Sequence, residues 1–316
     1  LLAAGCGGPR EEAGGPGTFR VILDFLPNPL HIGLYHAQAM GWYVEAGLDL
    51  SIDQPTSTTD TLRLMSAGRA DLGYVPMIDF GKAREQGEAI VMVASVVQKP
   101  LAALHALAAS GVARPRDLEG RVIGVSGVAS DEATARSIVA YDGGDPASLR
   151  FINIGFNVVQ NLVAGRVDGA VGFWNHEGVQ LRGAAEAVIF KEDEWGLPAY
   201  PGIIAFVRRE TLQDADRRDR LQRFLDTTAR GYAHAVAHPE TALRHLADQL
   251  EGTTAIDLRP HLEALAPVFL DAQGRWGPIN EADLAAFLAW AENQEILSLK
   301  TDGTPLYTNA LFDSRP

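Results

Sequence analysis

Short apolar segments alternate with helical patterns along the first two thirds of the chain. Apolar segments of this kind, bounded by Gly, Pro and polar residues, predict β-strands. The predicted strands are 19–25, 48–53, 71–75, 89–97, 102–108, 121–126, 150–154, 169–174, 186–190 and 202–207. Helical periodicity predicts helices near 30–45, 58–67, 78–86, 130–141, 157–164, 175–183, 219–237, 239–251, 258–267 and 280–298. The alternation predicts an α/β fold with mostly parallel sheets, followed by a mainly helical segment from Leu212 onward.

One pattern occurs twice. The stretches TLRLMSAGRADLGYV and QNLVAGRVDGAVGFW each end a helix with Ala-Gly-Arg, continue through an Asp and enter an apolar strand. Gly68 and Gly165 are expected to cap these helices in the left-handed conformation. A second pair of stretches, RVILDF and RVIGVS, has nearly the same separation along the chain. We therefore predict two similar α/β lobes.

Polar and aromatic side chains gather where the predicted strands end. Ligands of open α/β sheets bind beyond the carboxyl ends of the strands, and two such edges that face each other form a cleft. The candidates at these edges are Asp24, Phe25 and Asn28, residues 76–79, residues 126–130 and residues 174–177.

Composition and charge narrow the classes of function. The chain has 316 residues, 47% of them hydrophobic, and a formal net charge of −13. This length suits two lobes of ordinary size. The acidic balance, without a basic stripe, argues against nucleic acid as a partner. No window approaches the ~20 apolar residues that span a bilayer.

The single cysteine lies in an atypical segment. Cys6 follows LLAAG and precedes a stretch rich in Gly, Pro and Glu that runs to Gly17. Apolar and then small residues before a cysteine resemble a bacterial lipobox, which implies cleavage before Cys6 and a lipid on its sulfur. Residues 1–17 would then be a lipobox and flexible tether that anchor the protein to a membrane. A free thiol is the alternative.

Four stretches at these strand ends carry a family resemblance. DFLPNPLHIGLYHAQAMGWYVEAGLDL, AGRADLGYVPMIDFGKAREQG, IGFNVVQNLVAGRVDGAVGFWNHEG and DEWGLPAYP resemble the NMT1/thiamine-pyrimidine group of periplasmic binding proteins. The similarity covers roughly residues 19–240. This group contains solute receptors of ABC importers for pyrimidine precursors of thiamine. It also contains the eukaryotic hydroxymethylpyrimidine phosphate synthase, which has the same fold.

The resemblance implies a type II periplasmic binding protein fold, with two α/β lobes, a hinge and a cleft between the lobes. Lobe 1 would be residues 18–98 plus 206–316, and lobe 2 would be residues 101–204. The hinge would lie near 98–101 and 200–205. The resemblance also implies an extracytoplasmic protein, on the periplasmic side of the cytoplasmic membrane or at the cell surface, with an ABC permease as partner.

Comparison with the synthases of the family indicates whether this sequence carries their catalytic residues. They hold pyridoxal phosphate on a lysine, with a histidine nearby and a cysteine-rich iron motif. This sequence has Val75 at the lysine position and Asp79 at the histidine position, and Cys6 is its only cysteine. It also lacks a Ser elbow, a zinc-protease motif and a P-loop. We therefore expect no enzyme activity, no cofactor and no metal site.

Carboxylates are the first candidate ligand groups. Asp24, Asp79 and Glu177 lie at predicted strand ends. A carboxylate only accepts hydrogen bonds, so it suits an exocyclic amine or a protonated ring nitrogen. For Asp79, helix capping is an equal alternative. Asp131 and Glu132 stand where a helix should begin, and they would repel a sulfonate or phosphate unless their side chains point to solvent.

Aromatic and amide side chains complete the predicted ligand set. Rings would stack on a flat heterocycle and amides would bond to its edge, although a core role for Phe25 and a capping role for Asn157 are equal alternatives. The resemblance places His31 beside the cleft, with a core or surface role as its alternative. Beyond the carboxylates, the predicted ligand-binding residues are Phe25, Asn28, His31, Ser126, Asn157, Trp174, Asn175 and Tyr200.

These observations together predict a lipid-anchored solute-binding protein of an ABC importer. Its ligand would be a thiamine-related aminopyrimidine or another neutral or cationic heterocycle, captured by lobe closure. The alternatives are a receptor for a riboflavin-like ring or an alkanesulfonate, a sensor module, and a pyrimidine-modifying enzyme on the same fold.

Overall fold

Two five-stranded sheets carry the fold in the computed structural model, which describes residues 17–56, 59–298 and 303–313. Cys6 and the rest of the predicted lipobox lie outside the described residues. The first sheet has the spatial order β2 (Leu50–Asp53), β1 (Phe19–Ile22), β3 (Leu72–Pro76), β10 (Ile203–Arg208) and β4 (Ile90–Ser95). The second sheet has the spatial order β7 (Arg150–Asn153), β6 (Val122–Val125), β8 (Gly169–Phe173), β5 (Ala102–Leu107) and β9 (Ala187–Lys191).

The two sheets have equivalent topologies. β1 is parallel to β2 and β3 in the first sheet, as β6 is to β7 and β8 in the second. β10 is antiparallel to both of its neighbours, and so is β5. Each of these two strands is the first to enter its sheet after the chain crosses from the other one. Both sheets are therefore mixed, whereas the sequence predicted mostly parallel sheets.

The repeated sequence pattern has the same structural role in both sheets. Gly68 and Gly165 adopt left-handed φ angles of 68° and 64°, as predicted for helix ends. Asp71 accepts a hydrogen bond from a backbone N–H of β1 at 2.8 Å, and Asp168 accepts one from a backbone N–H of β6 at 2.9 Å. Each Asp thus ties the strand that follows the helix to its parallel neighbour.

The helices surround the sheets and dominate the C-terminal segment, as predicted. Their bounds are α1 (Ile32–Ala39), α2 (Trp42–Glu45), α3 (Asp60–Ser66), α4 (Met77–Glu85), α5 (Ala129–Tyr141), α6 (Val158–Val163), α7 (Glu177–Ala184), α8 (Arg209–Gln213), α9 (Ala215–Ala237), α10 (Pro239–Ala247), α11 (Ala255–Phe269), α12 (Glu281–Asn293) and α13 (Ala310–Asp313). Among these described helices, none combines the length and the apolar composition that crossing a bilayer requires.

Two of the contacts that attach the C-terminal helices to the rest of the fold are especially close. α9 packs closely on α1, because a Cβ added at Gly231 would lie only 2.2 Å from the carbonyl oxygen of Gly33. α12 stacks Phe287 on Tyr200, with the ring centroids 4.1 Å apart. The second contact joins the C-terminal helices to the segment by which the chain returns to the first sheet.

Candidate ligand-binding site

A cavity of about 90 Å³ lies between the two sheets, where side chains from the ends of both meet. One water needs roughly 10–15 Å³ of such a cavity, so this one has room for several waters or one small ring. The predicted residues that line it are Asp24, Phe25, Asn28, Ser126, Glu177 and Tyr200. The predicted residues that do not line it are His31, Asp79, Asn157, Trp174 and Asn175.

Asp24 is held in place by a fixed histidine. The side chains of Asp24 and His31 are buried, and Nε2 of His31 lies 2.9 Å from Oδ1 of Asp24. The backbone N–H of Asn28 donates to Nδ1 of His31 at 3.3 Å, so Nδ1 accepts and the ring proton is on Nε2. His31 therefore donates to Asp24 from behind and orients its carboxylate, while the Asn28 side chain caps the short helix Pro29–His31.

Glu177 presents a second carboxylate from the opposite side of the cavity. It is the first residue of α7 and is buried. Its Oε2 accepts a hydrogen bond from the backbone N–H of Phe173 at 2.8 Å. Asp24 and Glu177 are thus each anchored through one oxygen, and each lines the cavity.

His176 adds a hydrogen-bond donor to the same wall. Nε2 of Gln180 lies 3.2 Å from Nε2 of His176, and an amide nitrogen only donates, so Nε2 of His176 accepts and Nδ1 carries the proton. Among the described residues, this buried Nδ1 has no hydrogen-bond partner. Buried polar atoms are nearly always paired, so this Nδ1 is an unsatisfied donor in a residue that lines the cavity.

Aromatic rings close the cavity from both sheets. Phe25 and Phe156 meet edge to face, with their centroids 4.4 Å apart, and both line the cavity. Phe25 also lies 5.9 Å from the ring of His176. Phe25 comes after the end of β1 and Phe156 comes after β7, so this contact bridges the two sheets. Such apolar rings suit the faces of a flat ligand.

Tyr200 lines the cavity through its ring and is fixed by its hydroxyl. That hydroxyl donates to Oε2 of Glu192 at 2.6 Å, and the hydroxyl of Thr134 donates to Oε1 of the same carboxyl. Burial raises the pKa of Glu192 to about 7. Burial, with the nearby charge of Glu192, also raises the pKa of Tyr200 well above 10.

Two further carboxylates engage the beginning of α5. Oδ2 of Asp131 accepts from both the backbone N–H and the hydroxyl of Ser126, each at 2.6 Å. Asp79, from α4 beside the first sheet, accepts from the hydroxyl of Ser130 at 2.8 Å and from its backbone N–H at 3.3 Å. Burial raises the pKa of Asp131 to about 7, and the charges of Asp79 and Glu177 act in the same direction.

The other predicted residues point elsewhere. The Trp174 indole donates to the backbone oxygen of Pro100 at 3.1 Å, in the segment that connects the two sheets. Asn175 is buried, and its backbone oxygen accepts from Nδ1 of His261 at 2.8 Å. Asn157 is exposed and precedes α6, but its side chain makes no capping hydrogen bond.

Phe156 was missed as a ligand candidate, and His176 was named only within the strand-end range 174–177 and not among the predicted ligand-binding residues. Both lie inside stretches that carried the family resemblance, IGFN and WNHEG. For His176 the available signal was Gln180 one helical turn later, because residues four apart on a helix face the same side.

The charge of the cavity is one-sided. Asp24, Asp131 and Glu177 line it, and the described lining contains neither Lys nor Arg. Within residues 17–56, 59–298 and 303–313, no three His, Cys, Asp or Glu side chains are arranged to hold a metal ion. The arrangement suits a ligand that donates hydrogen bonds or carries positive charge.

Two mixed α/β sheets with a cavity between them define the periplasmic binding protein fold, as predicted. The alkanesulfonate-binding protein SsuA of Xanthomonas axonopodis pv. citri superposes with a TM-score of 0.74 at 15% identity, covering 93% of this chain and 99% of that one. The NMT1/THI5-like family model matches residues 28–242, and the chain belongs to this family.

Two relatives show the range of the family. A formylaminopyrimidine-binding protein of Halalkalibacterium halodurans is 28% identical over 286 residues, covering 89% of this chain and 86% of the relative. A 4-amino-5-hydroxymethyl-2-methylpyrimidine phosphate synthase of Legionella pneumophila is 27% identical over 226 residues, covering 70% of each chain.

The synthase relatives correct one prediction. We expected no enzyme activity, because Val75 and Asp79 replace the lysine and histidine of the synthases. That prediction is contradicted, because proteins named as synthases match most of this chain. The relatives of this chain are thus named for an enzyme role as well as for a binding role.

Proposed function

We propose that the chain is a solute-binding protein that holds an aminopyrimidine, or a similar neutral or cationic heterocycle, in the cavity between its sheets. The observation that carries this proposal is the pairing of acceptor and donor groups around aromatic rings. Asp24 and Glu177 only accept, His176 has a proton to donate, and Phe25 and Phe156 supply apolar faces. An aminopyrimidine offers an amine donor, ring-nitrogen acceptors and two flat faces.

The relatives support the same ligand class. One of them is named a formylaminopyrimidine-binding protein and matches 89% of the chain. Its name indicates a ring with an amino-type substituent, which matches the donor that the carboxylates of Asp24 and Glu177 require.

Ligand capture would work through closure of two lobes. We propose residues 18–98 plus 206–316 as lobe 1, residues 101–204 as lobe 2, and a hinge near 98–101 and 200–205. A ligand that contacts Asp24 on one side and Glu177 on the other stabilises the closed state, because it binds that state better than the open one. The closed form would then meet an ABC permease outside the cytoplasm, with a lipid on Cys6 as the membrane anchor.

The decisive experiment is direct identification of the ligand. The protein is purified in its folded state, without a refolding step. It is then denatured to release any bound small molecule, which mass spectrometry identifies. Thermal unfolding is then measured with a panel of aminopyrimidines, thiamine, riboflavin and taurine, since a ligand that binds only the folded state raises the melting temperature. We expect an aminopyrimidine to give the largest increase. A response to taurine or riboflavin alone would reject the proposal.

A second candidate function is pyrimidine chemistry on the same site. The Legionella synthase relative, which matches 70% of the chain, favours it. Incubation of the protein with the aminopyrimidine that binds best distinguishes the two functions. Recovery of the ligand unchanged supports the binding function, and the appearance of a new product supports the enzyme.

A further inference from the structure

The N-terminus of α5 faces the cavity and already has internal carboxylates as partners. Helix N-termini attract anions, because their backbone N–H groups lack partners inside the helix and the helix dipole is positive there. Ser130 lies in the first turn of α5 and lines the cavity, and Ser126 lies just before the helix and lines it as well. Both serines offer a backbone N–H and a hydroxyl.

Two aspartates from different parts of the chain take up these donors. Asp131 accepts hydrogen bonds from the backbone N–H and the hydroxyl of Ser126, each at 2.6 Å. Asp79, on α4, accepts hydrogen bonds from the hydroxyl of Ser130 at 2.8 Å and from its backbone N–H at 3.3 Å. Asp79 is 7% exposed and Ser130 is 8% exposed, so this contact between the two halves of the site is shielded from water.

We propose that Asp79 and Asp131 are specificity-determining residues that exclude anionic ligands from the cavity. They act in two ways. Their oxygens occupy the donors that a sulfonate or phosphate would need. Their negative charge repels a second anion in a cavity whose described lining has neither Lys nor Arg, and Asp131 contributes to this repulsion above its raised pKa of about 7. The inference rests on the proposed function only in taking this cavity as the ligand site.

The test compares substitutions that remove the negative charge with substitutions that also remove the acceptor oxygens. Asp79→Ala with Asp131→Ala removes both carboxylates, and with them the acceptor oxygens that bind the donors of Ser126 and Ser130. Asp79→Asn with Asp131→Asn removes the charge but keeps one amide oxygen at each position. That oxygen can hold both donors of Ser126, which share Oδ2 of Asp131, but only one of the two donors of Ser130, which bond to different oxygens of Asp79. Isothermal titration with methanesulfonate, an anion small enough for the cavity volume, measures binding by each variant and by the wild type above pH 7, where Asp131 is ionised.

We expect graded results. If each removed carboxylate contributes about tenfold, the double Ala variant binds methanesulfonate about a hundredfold more tightly than the wild type. The double Asn variant should show a smaller gain, because three of the four donors keep an acceptor oxygen. Glu132→Gln is the matched control. Glu132 belongs to the same helical turn, but its side chain is 50% exposed and faces Arg136 at 3.6 Å, so this substitution should leave methanesulfonate binding unchanged.

Two results would overturn the inference. One is methanesulfonate binding by the wild type as tight as that of the double Ala variant. The other is no gain in a double Ala variant that circular dichroism shows to be folded. If that variant does not fold, the double Asn variant decides, and equality with the wild type rejects the inference. Aminopyrimidine binding by the wild type is titrated separately, so its failure would reject the proposed function and leave the methanesulfonate comparison intact.

Discussion

Glu192 offers a quantitative test of how the cavity wall is stabilised. Its carboxyl is fully buried beneath Tyr200 and accepts hydrogen bonds from that residue and from Thr134. Burial raises its pKa from 4.5 to about 7. At a pH between these two pKa values, Glu192 has lost its proton in the unfolded chain and still holds it in the folded chain. The wild type therefore loses stability as the pH rises through this window.

The magnitude follows from the two pKa values. The difference between 4.5 and about 7 corresponds to about 3 kcal/mol of unfolding free energy. Glu192→Gln keeps the size of the side chain and cannot ionise. We expect the unfolding free energy of the variant, minus that of the wild type, to rise by about 3 kcal/mol from pH 4.5 to 7 and to stay level above pH 7.

The difference between variant and wild type is the quantity to measure, because other buried groups titrate in the same range. Burial lowers the pKa values of His36 and His105 from 6.5 to about 4. The unfolded chain therefore binds protons at these histidines below pH 6.5, and their contribution to stability rises with pH. This slope opposes that of Glu192 in the wild-type profile and cancels in the difference.

Urea unfolding followed by circular dichroism, in steps from pH 4.5 to above pH 7, gives this difference. Glu194→Gln is the matched control. Glu194 belongs to the same short helix as Glu192, Glu192–Glu194, but its side chain is 56% exposed. We expect its difference to change by less than about 1 kcal/mol over the range. A Glu192→Gln difference that is flat, or that falls with pH, would refute the assignment of a buried, protonated carboxyl beneath Tyr200.

Three other predictions concern the cavity and the segment beside it. Glu177→Gln should weaken aminopyrimidine binding by about tenfold to a hundredfold in isothermal titration, because a charged acceptor is lost; unchanged affinity would place the ligand elsewhere. His176→Ala should weaken the same binding by about tenfold through loss of one donor. A loss of affinity that is accompanied by a lower melting temperature of the ligand-free variant would indicate a purely structural role. Gly202→Ala should lower the unfolding free energy by about 1–3 kcal/mol in urea, since its Cβ would lie 2.5 Å from the backbone oxygen of Lys99, and a neutral effect would contradict the close contact between the two connecting segments.

Much of the fold could be predicted because its signals are local. All ten strands occur within a few residues of their predicted positions, since each is a short apolar segment bounded by polar or turn residues. The repeated Gly and Asp of the two helix ends predicted equivalent sheets for the same reason. The antiparallel entry of β5 and β10 could not be predicted, because strand direction depends on how a connection crosses between sheets and leaves no local pattern.

The candidate site also had a part that local sequence signals predict and a part that they do not. Asp24 and Glu177 follow strands, and strand ends meet at the cavity, so their position in the sequence was sufficient. Trp174 and Asn175 occupy the same kind of position but turn toward Pro100 and toward the core. Which way a side chain turns after a strand depends on partners distant in the sequence, and these could not be predicted from one chain.

The partners of the cavity carboxylates explain why an acidic site of this kind can be stable. A buried carboxylate is costly unless hydrogen bonds compensate it, and here His31 bonds to Asp24, a backbone N–H bonds to Glu177 and Ser126 bonds to Asp131. Among the described residues, the hydrogen bonds to Asp24 and to Glu177 engage one oxygen of each carboxylate. The anchoring bond fixes the direction of the carboxylate before a ligand arrives, so less conformational entropy is lost on binding. Under the proposed function, the second oxygen of each carboxylate would accept from an amine donor, and the selectivity of the site would then depend on its anchoring residues as much as on the carboxylates themselves.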